Sequence, residues 1–137
     1  MAKPSAHEAL IYLMVVVSAA DRDMTDAELA HIGEAVRGWP IFLDFDETAL
    51  VGAARDCQKL LQDEGGLDRI FGMVLDSVPL HLHDTAYAIA VEVAVVDREM
   101  RIEERRVLER LRSYLAIDAD TARAIELSAK ARHRTLT

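Results

Sequence analysis

Two long apolar runs dominate the hydrophobic pattern of this chain. Residues 9–20 and 85–96 are small or apolar on nearly every side of a helix, and each run has one clearly polar interruption near its end, Ser18 or Glu92. A helix that is apolar all round is a buried helix. The pattern therefore predicts two central helices, one in each half of the chain, around which the other segments pack.

Shorter segments with apolar positions at helical spacing complete an all-α prediction, a compact bundle of about seven helices. The segments 38–40 (Gly-Trp-Pro) and 64–66 (Glu-Gly-Gly) are predicted to end helices, with Gly38 as a left-handed cap. The predicted N-caps are Ser5, Thr25, either Asp44 or Asp46, and Asp118. The first three predicted helices begin after Ser5, after Thr25 and after Asp44 or Asp46, and they end at about residues 20, 37 and 63. The other four are predicted over 67–78, 80–96, 102–115 and, after Asp118, 119–132.

The chain contains an internal repeat at the ends of its two apolar runs. Four identities recur at a constant offset of 76 residues, which is 97 minus 21. The matched pairs are Asp21 with Asp97, Arg22 with Arg98, Met24 with Met100, and Glu28 with Glu104. We interpret the halves, about 6–38 and 80–116, as two copies of one unit: a buried helix, an acidic corner and a second helix. The acidic corners are residues 21–28 and 97–104.

The acids of the two corners form a candidate metal site. Glu28 is explained by a capping box with Thr25, whereas the matching cap position before Glu104 is an arginine, which cannot cap through an oxygen. If both corners lie at one end of the bundle, Asp21, Glu28, Asp97 and Glu104 converge. Four carboxylates suit a hard cation such as Ca²⁺, Mg²⁺ or Mn²⁺, and no other cofactor is expected. The alternative is that all four are solvated or helix-capping acids.

At these corners the sequence resembles the TerB-like family of tellurite resistance proteins. Its repeated signature is an apolar helix followed by Ala-Asp-Gly-x-(hydrophobic)-x-x-x-Glu, which residues 20–28 and 96–104 approach. The resemblance implies an all-helical bundle of two related halves, a metal site at the paired Asp and Glu positions, and a role in resistance to tellurite and related stress. The chain departs from the signature where Arg22 and Arg98 replace glycine, because each guanidinium can neutralise the carboxylates itself.

Charge and cysteine content exclude some classes of function and cellular location. The net charge is −8, with 6 basic and 16 acidic residues in 1–96 but 10 basic and 8 acidic in 97–137. This distribution argues against nucleic-acid binding, which needs concentrated positive charge. The single Cys57 cannot form an intramolecular disulfide, which suits the cytoplasm. The apolar runs are too short for a membrane span, and Glu8 argues against a secretory signal.

Other chemistry-bearing residues are assigned structural roles. His81 and His83 have i, i+2 spacing, which does not place two zinc ligands on one helical face, so both are expected at a helix surface. Cys57 is predicted to be a buried, inert thiol, and Trp39 to fill the core. The arginines of 105–112 are expected to form a solvated face held by i, i+4 ion pairs.

The sequence thus predicts one TerB-like domain over residues 1–137. It is expected to be a non-enzymatic, metal-responsive module of a stress-resistance system that works with other proteins of that system, as a monomer or weak dimer. One alternative is a protein-interaction module that binds no metal. The other is a di-metal carboxylate enzyme, which is disfavoured because no Glu-x-x-His pair lies on the central helices.

Overall fold

The computed structural model describes residues 3–19, 23–96 and 102–137. Within these ranges the chain forms seven α-helices and no β-strand, which confirms the all-α prediction. The helices are α1 (Ala6–Ala19), α2 (Asp26–Gly38), α3 (Leu50–Gln62), α4 (Gly66–Ser77), α5 (His83–Val96), α6 (Ile102–Leu115) and α7 (Ala119–Arg132). Short 3₁₀ turns at Pro40–Phe42, Glu47–Ala49 and Leu80–Leu82 lie in the α2–α3 connection and before α5. None of these helices has the length and apolar content to cross a membrane.

The first apolar run forms the centre of the bundle. Every residue of α1 from Ala9 to Ala19 is buried. The helix packs against α2, α3, α4, α5 and α6, so it has a neighbour on each side. This arrangement explains why its apolar residues show no single stripe, since no face of the helix meets water between Ala9 and Ala19.

The second apolar run is only partly buried. Helix α5 packs against α1, α6 and α7, and residues such as Ile89 and Ala90 are fully buried. Its last turn differs, because Glu92, Val93 and Val96 are each partly exposed. The prediction that α5 is buried all round is therefore wrong for its C-terminal end, where this side of the helix faces a cleft instead of another helix.

Two capping boxes start the first two helices. The Ser5 hydroxyl accepts from Glu8 N at 3.1 Å, and Ser5 N donates to Glu8 Oε1 at 2.9 Å. The same reciprocal pair joins Thr25 and Glu28 at 3.1 and 2.9 Å. Each box satisfies backbone N–H groups that the first turn of a helix leaves without a partner. Both predicted caps are confirmed.

The connection between α2 and α3 differs from the prediction. Gly38 is the last residue of α2 and has no left-handed conformation, since the positive φ values of the described residues belong to Gly65 and Ala116. Trp39 leaves the helix with extended backbone (φ −85°, ψ 127°), as proline disfavours a helical residue directly before it. Asp46 caps the 3₁₀ turn that precedes α3 by accepting from Thr48 N at 3.0 Å.

The arginine-rich helix α6 is tied to α4 by contacts between helices. Arg110 pairs with Asp68, and the Tyr114 hydroxyl donates to the same carboxylate at 3.0 Å. The Arg110 guanidinium also lies 5.9 Å from the ring centre of Phe71, within the range of a cation–π contact. The predicted i, i+4 pairing is therefore wrong for Arg110, whose partners are on the neighbouring helix.

Candidate functional site

A cleft of about 860 Å³ lies where α1 and α5 end and α2 and α6 begin. Ser18 and Val96 line it from the last turns of α1 and α5, and Glu28 and Glu104 from the first turns of α2 and α6. Arg132 and His133, at the C-terminal end of α7, complete it. This arrangement follows from the packing of α1 against α5, which places the last turns of these two helices at the same end of the bundle.

The predicted metal ligands divide into two groups. Glu28 and Glu104, which are 76 residues apart in sequence (104 minus 28), line the same cleft. Asp21 and Asp97 lie outside the described residues. Among residues 3–19, 23–96 and 102–137, no three His, Cys, Asp or Glu side chains are grouped so that they could hold one metal ion. The predicted four-carboxylate site therefore stays a prediction.

The two glutamates occupy different environments. Glu28 is half-buried, and its capping box with Thr25 fixes the carboxylate beside the first turn of α2. Glu104 is only 2% exposed. A carboxylate at the N-terminus of a helix is stabilised by the helix dipole, but a carboxylate this deeply buried also needs a positive partner or several hydrogen-bond donors to remain charged. The sequence gives no sign of this burial, because Glu104 stands among exposed charged residues.

A carboxylate that the sequence prediction left unassigned links α5 to α7. Glu92 accepts from Arg132 Nη2 at 2.6 Å and also from His133 Nε2. Burial by itself raises the pKa of Glu92, but the hydrogen bonds from His133 and Arg132 outweigh that effect and hold the pKa below its ordinary value of 4.5. The only signal in the sequence was the position of Glu92 as the one charge in the second apolar run.

The Glu92 contacts are expected to make stability depend on pH. Because the pKa of Glu92 is lower in the folded chain, its ionised form stabilises the fold above the unfolded value near 4.5, and this contribution is lost as pH falls through the lower, folded value. Replacing Glu92 by glutamine should lower the free energy of unfolding by on the order of 1 kcal/mol at neutral pH, since Arg132 is half exposed. Urea unfolding of the wild type and Glu92→Gln from neutral to acidic pH measures the difference in their free energies of unfolding.

The control for this experiment is Glu47→Gln. Glu47 pairs with Arg37 at 3.3 Å, but the two side chains are 48% and 56% exposed, so its loss should change stability by less than about 0.5 kcal/mol. A gap between wild type and Glu92→Gln that stays constant from neutral to strongly acidic pH would contradict the assignment.

The wall of the cleft formed by α2 was missed by sequence reasoning. Ala27, His31, Glu34 and Ala35 line it along one side of the helix, opposite the side on which Ile32 and Val36 are buried. Trp39 continues this wall just beyond the helix. It packs against the core but remains partly exposed, so the prediction that Trp39 fills the core is confirmed only in part.

Other reactive side chains lie away from the cleft. Cys57 is fully buried, and burial raises the pKa of its thiol, which contacts the carbonyl oxygen of Tyr12 at 3.6 Å. A thiol held in its neutral form is a poor nucleophile and a poor metal ligand. His83 is buried and bonds the Val78 carbonyl oxygen at 3.0 Å, so it is not the surface residue that was predicted. His81 is exposed, as predicted.

Fold and cleft together define a class of protein. The described ranges form a small helical bundle around one central, largely buried helix, with carboxylates from two helix N-termini lining a cleft at one end. The family model described as tellurite resistance protein TerB matches residues 7–129 of the 137-residue chain, and the chain belongs to this family. The predicted membership of the TerB-like family is thereby confirmed. No curated protein and no solved structure matched the chain.

Proposed function

We propose that this TerB-family protein is a non-enzymatic module of tellurite and stress resistance that binds a divalent cation at its acidic corners. The supporting observation is that Glu28 and Glu104, from two separate helices, line one cleft. The remaining proposed ligands are close to this cleft in sequence. Asp97 directly follows Val96, which is a cleft residue, and Asp21 comes three residues after Ser18, which is another.

The chemistry of the proposed ligands favours a hard cation. Carboxylate oxygens are preferred by Ca²⁺, Mg²⁺ and Mn²⁺, whereas zinc and copper sites are usually built from imidazole and thiolate groups. A bound divalent ion would add to the interactions that stabilise the charged form of the buried Glu104. It would also relieve the repulsion between acids gathered at the ends of two helices.

Calorimetric titration of the chelator-treated protein with Ca²⁺, Mg²⁺ and Mn²⁺ tests this proposal. We expect saturable binding of at least one ion to the wild type, and its loss in Asp97→Asn and Glu104→Gln. Asp76→Asn is the matched control, because it removes the same charge from an exposed position on α4 that does not line the cleft. Circular dichroism of each variant shows whether the helices remain folded. Absence of binding heat in the wild type for all three ions would overturn the proposal.

The second candidate is a protein-interaction module that binds no metal. It is favoured by Arg22 and Arg98, which replace the glycines of the family signature and bring two guanidinium groups into the acidic corners. The calorimetric titration distinguishes the two candidates, because a module that binds no metal should give no binding heat in the wild type or in the variants.

For either candidate we propose that the protein works in the cytoplasm with other proteins of its resistance system, as a monomer or weak dimer. Sedimentation velocity of the purified chain tests the oligomeric state.

A further inference from the structure

The cleft has the shape of a groove that follows α2. Its lining residues on this helix run from Thr25 to Gly38, recurring every three or four positions, so the groove is about 20 Å long at 1.5 Å per helical residue. A volume of about 860 Å³ is at the upper end for a compact small-molecule pocket. An extended chain of about six residues would span the same length at 3.3 Å per residue.

The walls of this groove combine apolar surface with negative charge. Trp39, Val93 and Val96 supply aromatic and branched aliphatic surface from two sides. The described lining residues include four glutamates but only one arginine, Arg132, together with two histidines. The four glutamates are Glu28, Glu34, Glu92 and Glu104. This combination disfavours phosphates, nucleic acids and acidic peptides, and favours an occupant that is both basic and apolar.

The chain already places one guanidinium group in the groove. Arg132 reaches across from α7 to Glu92 with an N–O distance of 2.6 Å, while its side chain remains half exposed. Glu92 is therefore already paired within the chain, and this pair shows that the wall of the groove accommodates an arginine side chain. Glu34 lies farther along the same groove on the exposed side of α2, where a second basic side chain could bind without displacing Arg132.

We propose that this groove binds a segment of a partner protein in which arginine or lysine alternates with large apolar residues. The apolar side chains would pack on Trp39, Val93 and Val96, and a basic side chain would pair with the exposed Glu34 on α2. This inference does not depend on a bound cation. It goes beyond the cation-binding function by assigning a binding surface and the chemistry of its partner.

Trp39 is the only tryptophan of the chain and lines the groove, so its fluorescence reports occupancy directly. The probe is an end-blocked peptide of alternating leucine and arginine, titrated into the full chain in the presence of chelator. We expect a saturable change in Trp39 emission. Two control peptides, one with glutamate for arginine and one with serine for leucine, should bind at least tenfold more weakly, because each lacks half of the required chemistry.

A pair of matched variants locates the binding. Glu34→Gln should weaken the leucine–arginine peptide about two- to fivefold, the effect of one exposed ion pair. Glu64→Gln removes the same charge from the α3–α4 turn, outside the groove, and should leave binding unchanged. Equal weakening by both variants would show general attraction to an acidic protein and would overturn the proposal. Equal binding of the serine–arginine peptide, or an identical response to spermidine at the same concentration, would overturn it too.

Performing the titration with chelator keeps this inference separate from the cation proposal. Peptide binding in chelator together with no binding heat from any divalent ion would support the groove and overturn the cation site. Binding of a divalent ion together with no response of Trp39 fluorescence to the leucine–arginine peptide would support the cation site and overturn the proposed peptide groove.

Discussion

Replacing Leu13 by alanine is expected to lower the free energy of unfolding by about 2–5 kcal/mol. Leu13 has no exposed surface and lies at the middle of α1, the helix with neighbours on each side. The truncation removes buried methyl groups and leaves a cavity that the surrounding helices can close only in part, because protein interiors are packed as densely as organic crystals. Urea unfolding followed by circular dichroism measures the change.

The matched control for this substitution is Leu43→Ala. Leu43 is 85% exposed in the connection between α2 and α3, so the same change in side chain should alter stability by less than about 0.5 kcal/mol. Comparable losses from Leu13→Ala and Leu43→Ala would mean that α1 is not the centre of the bundle. A large loss from Leu13→Ala alone supports the central position of α1 in the bundle.

Helix identity and helix ends could be predicted because their causes are local in sequence. A capping box needs residues three positions apart, as in Thr25 and Glu28. The start of α7 follows from one side chain, since Asp118 accepts from Thr121 N at 3.1 Å. The end of α2 shows the limit of such reasoning. Gly38 was expected to end this helix by adopting a left-handed conformation. Instead the helix ends because Pro40 disfavours a helical conformation at the residue before it, Trp39, which is extended.

Burial could be predicted for the interior of a helix but not for its ends. Periodicity shows which side of a helix is apolar, but not whether another helix covers that side. Val93 and Val96 belong to an apolar run and yet line a cleft, while Glu104 belongs to a charged run and is buried. These outcomes depend on how α1, α2, α5 and α6 meet at one end of the bundle, which is a property of tertiary packing.

The same limit applies to the candidate site. The repeat in the sequence brought Glu28 and Glu104 into one hypothesis, and the two side chains do line one cleft. The contacts of Glu92 with Arg132 and His133 could not be predicted, because they join residues about 40 positions apart through the packing of α5 on α7. The sequence repeat therefore indicated Glu28 and Glu104, which occupy equivalent positions in the two copies. It could not indicate Glu92, which has no counterpart in the repeat and lines the cleft only because of tertiary packing.

Replacing Gly66 by alanine is expected to lower the free energy of unfolding by about 1–3 kcal/mol or more. A Cβ at this position would lie 1.9 Å from the carbonyl oxygen of Leu60 and 2.8 Å from its carbonyl carbon. Both are backbone atoms, so no change of side-chain rotamer relieves the overlap, and the turn between α3 and α4 must shift. The neighbouring Gly65, with φ at +72°, already uses the backbone freedom of glycine to make this turn.

Gly72, on the same helix, provides the control with the opposite sign. A Cβ there would meet no atom within 4 Å, so alanine at this position should stabilise α4 by up to about 1 kcal/mol, the difference in helix propensity. Urea unfolding of Gly66→Ala and Gly72→Ala should therefore move the midpoint in opposite directions. A Gly66→Ala variant that is as stable as the wild type or more stable would contradict the close approach of Gly66 to the backbone of Leu60.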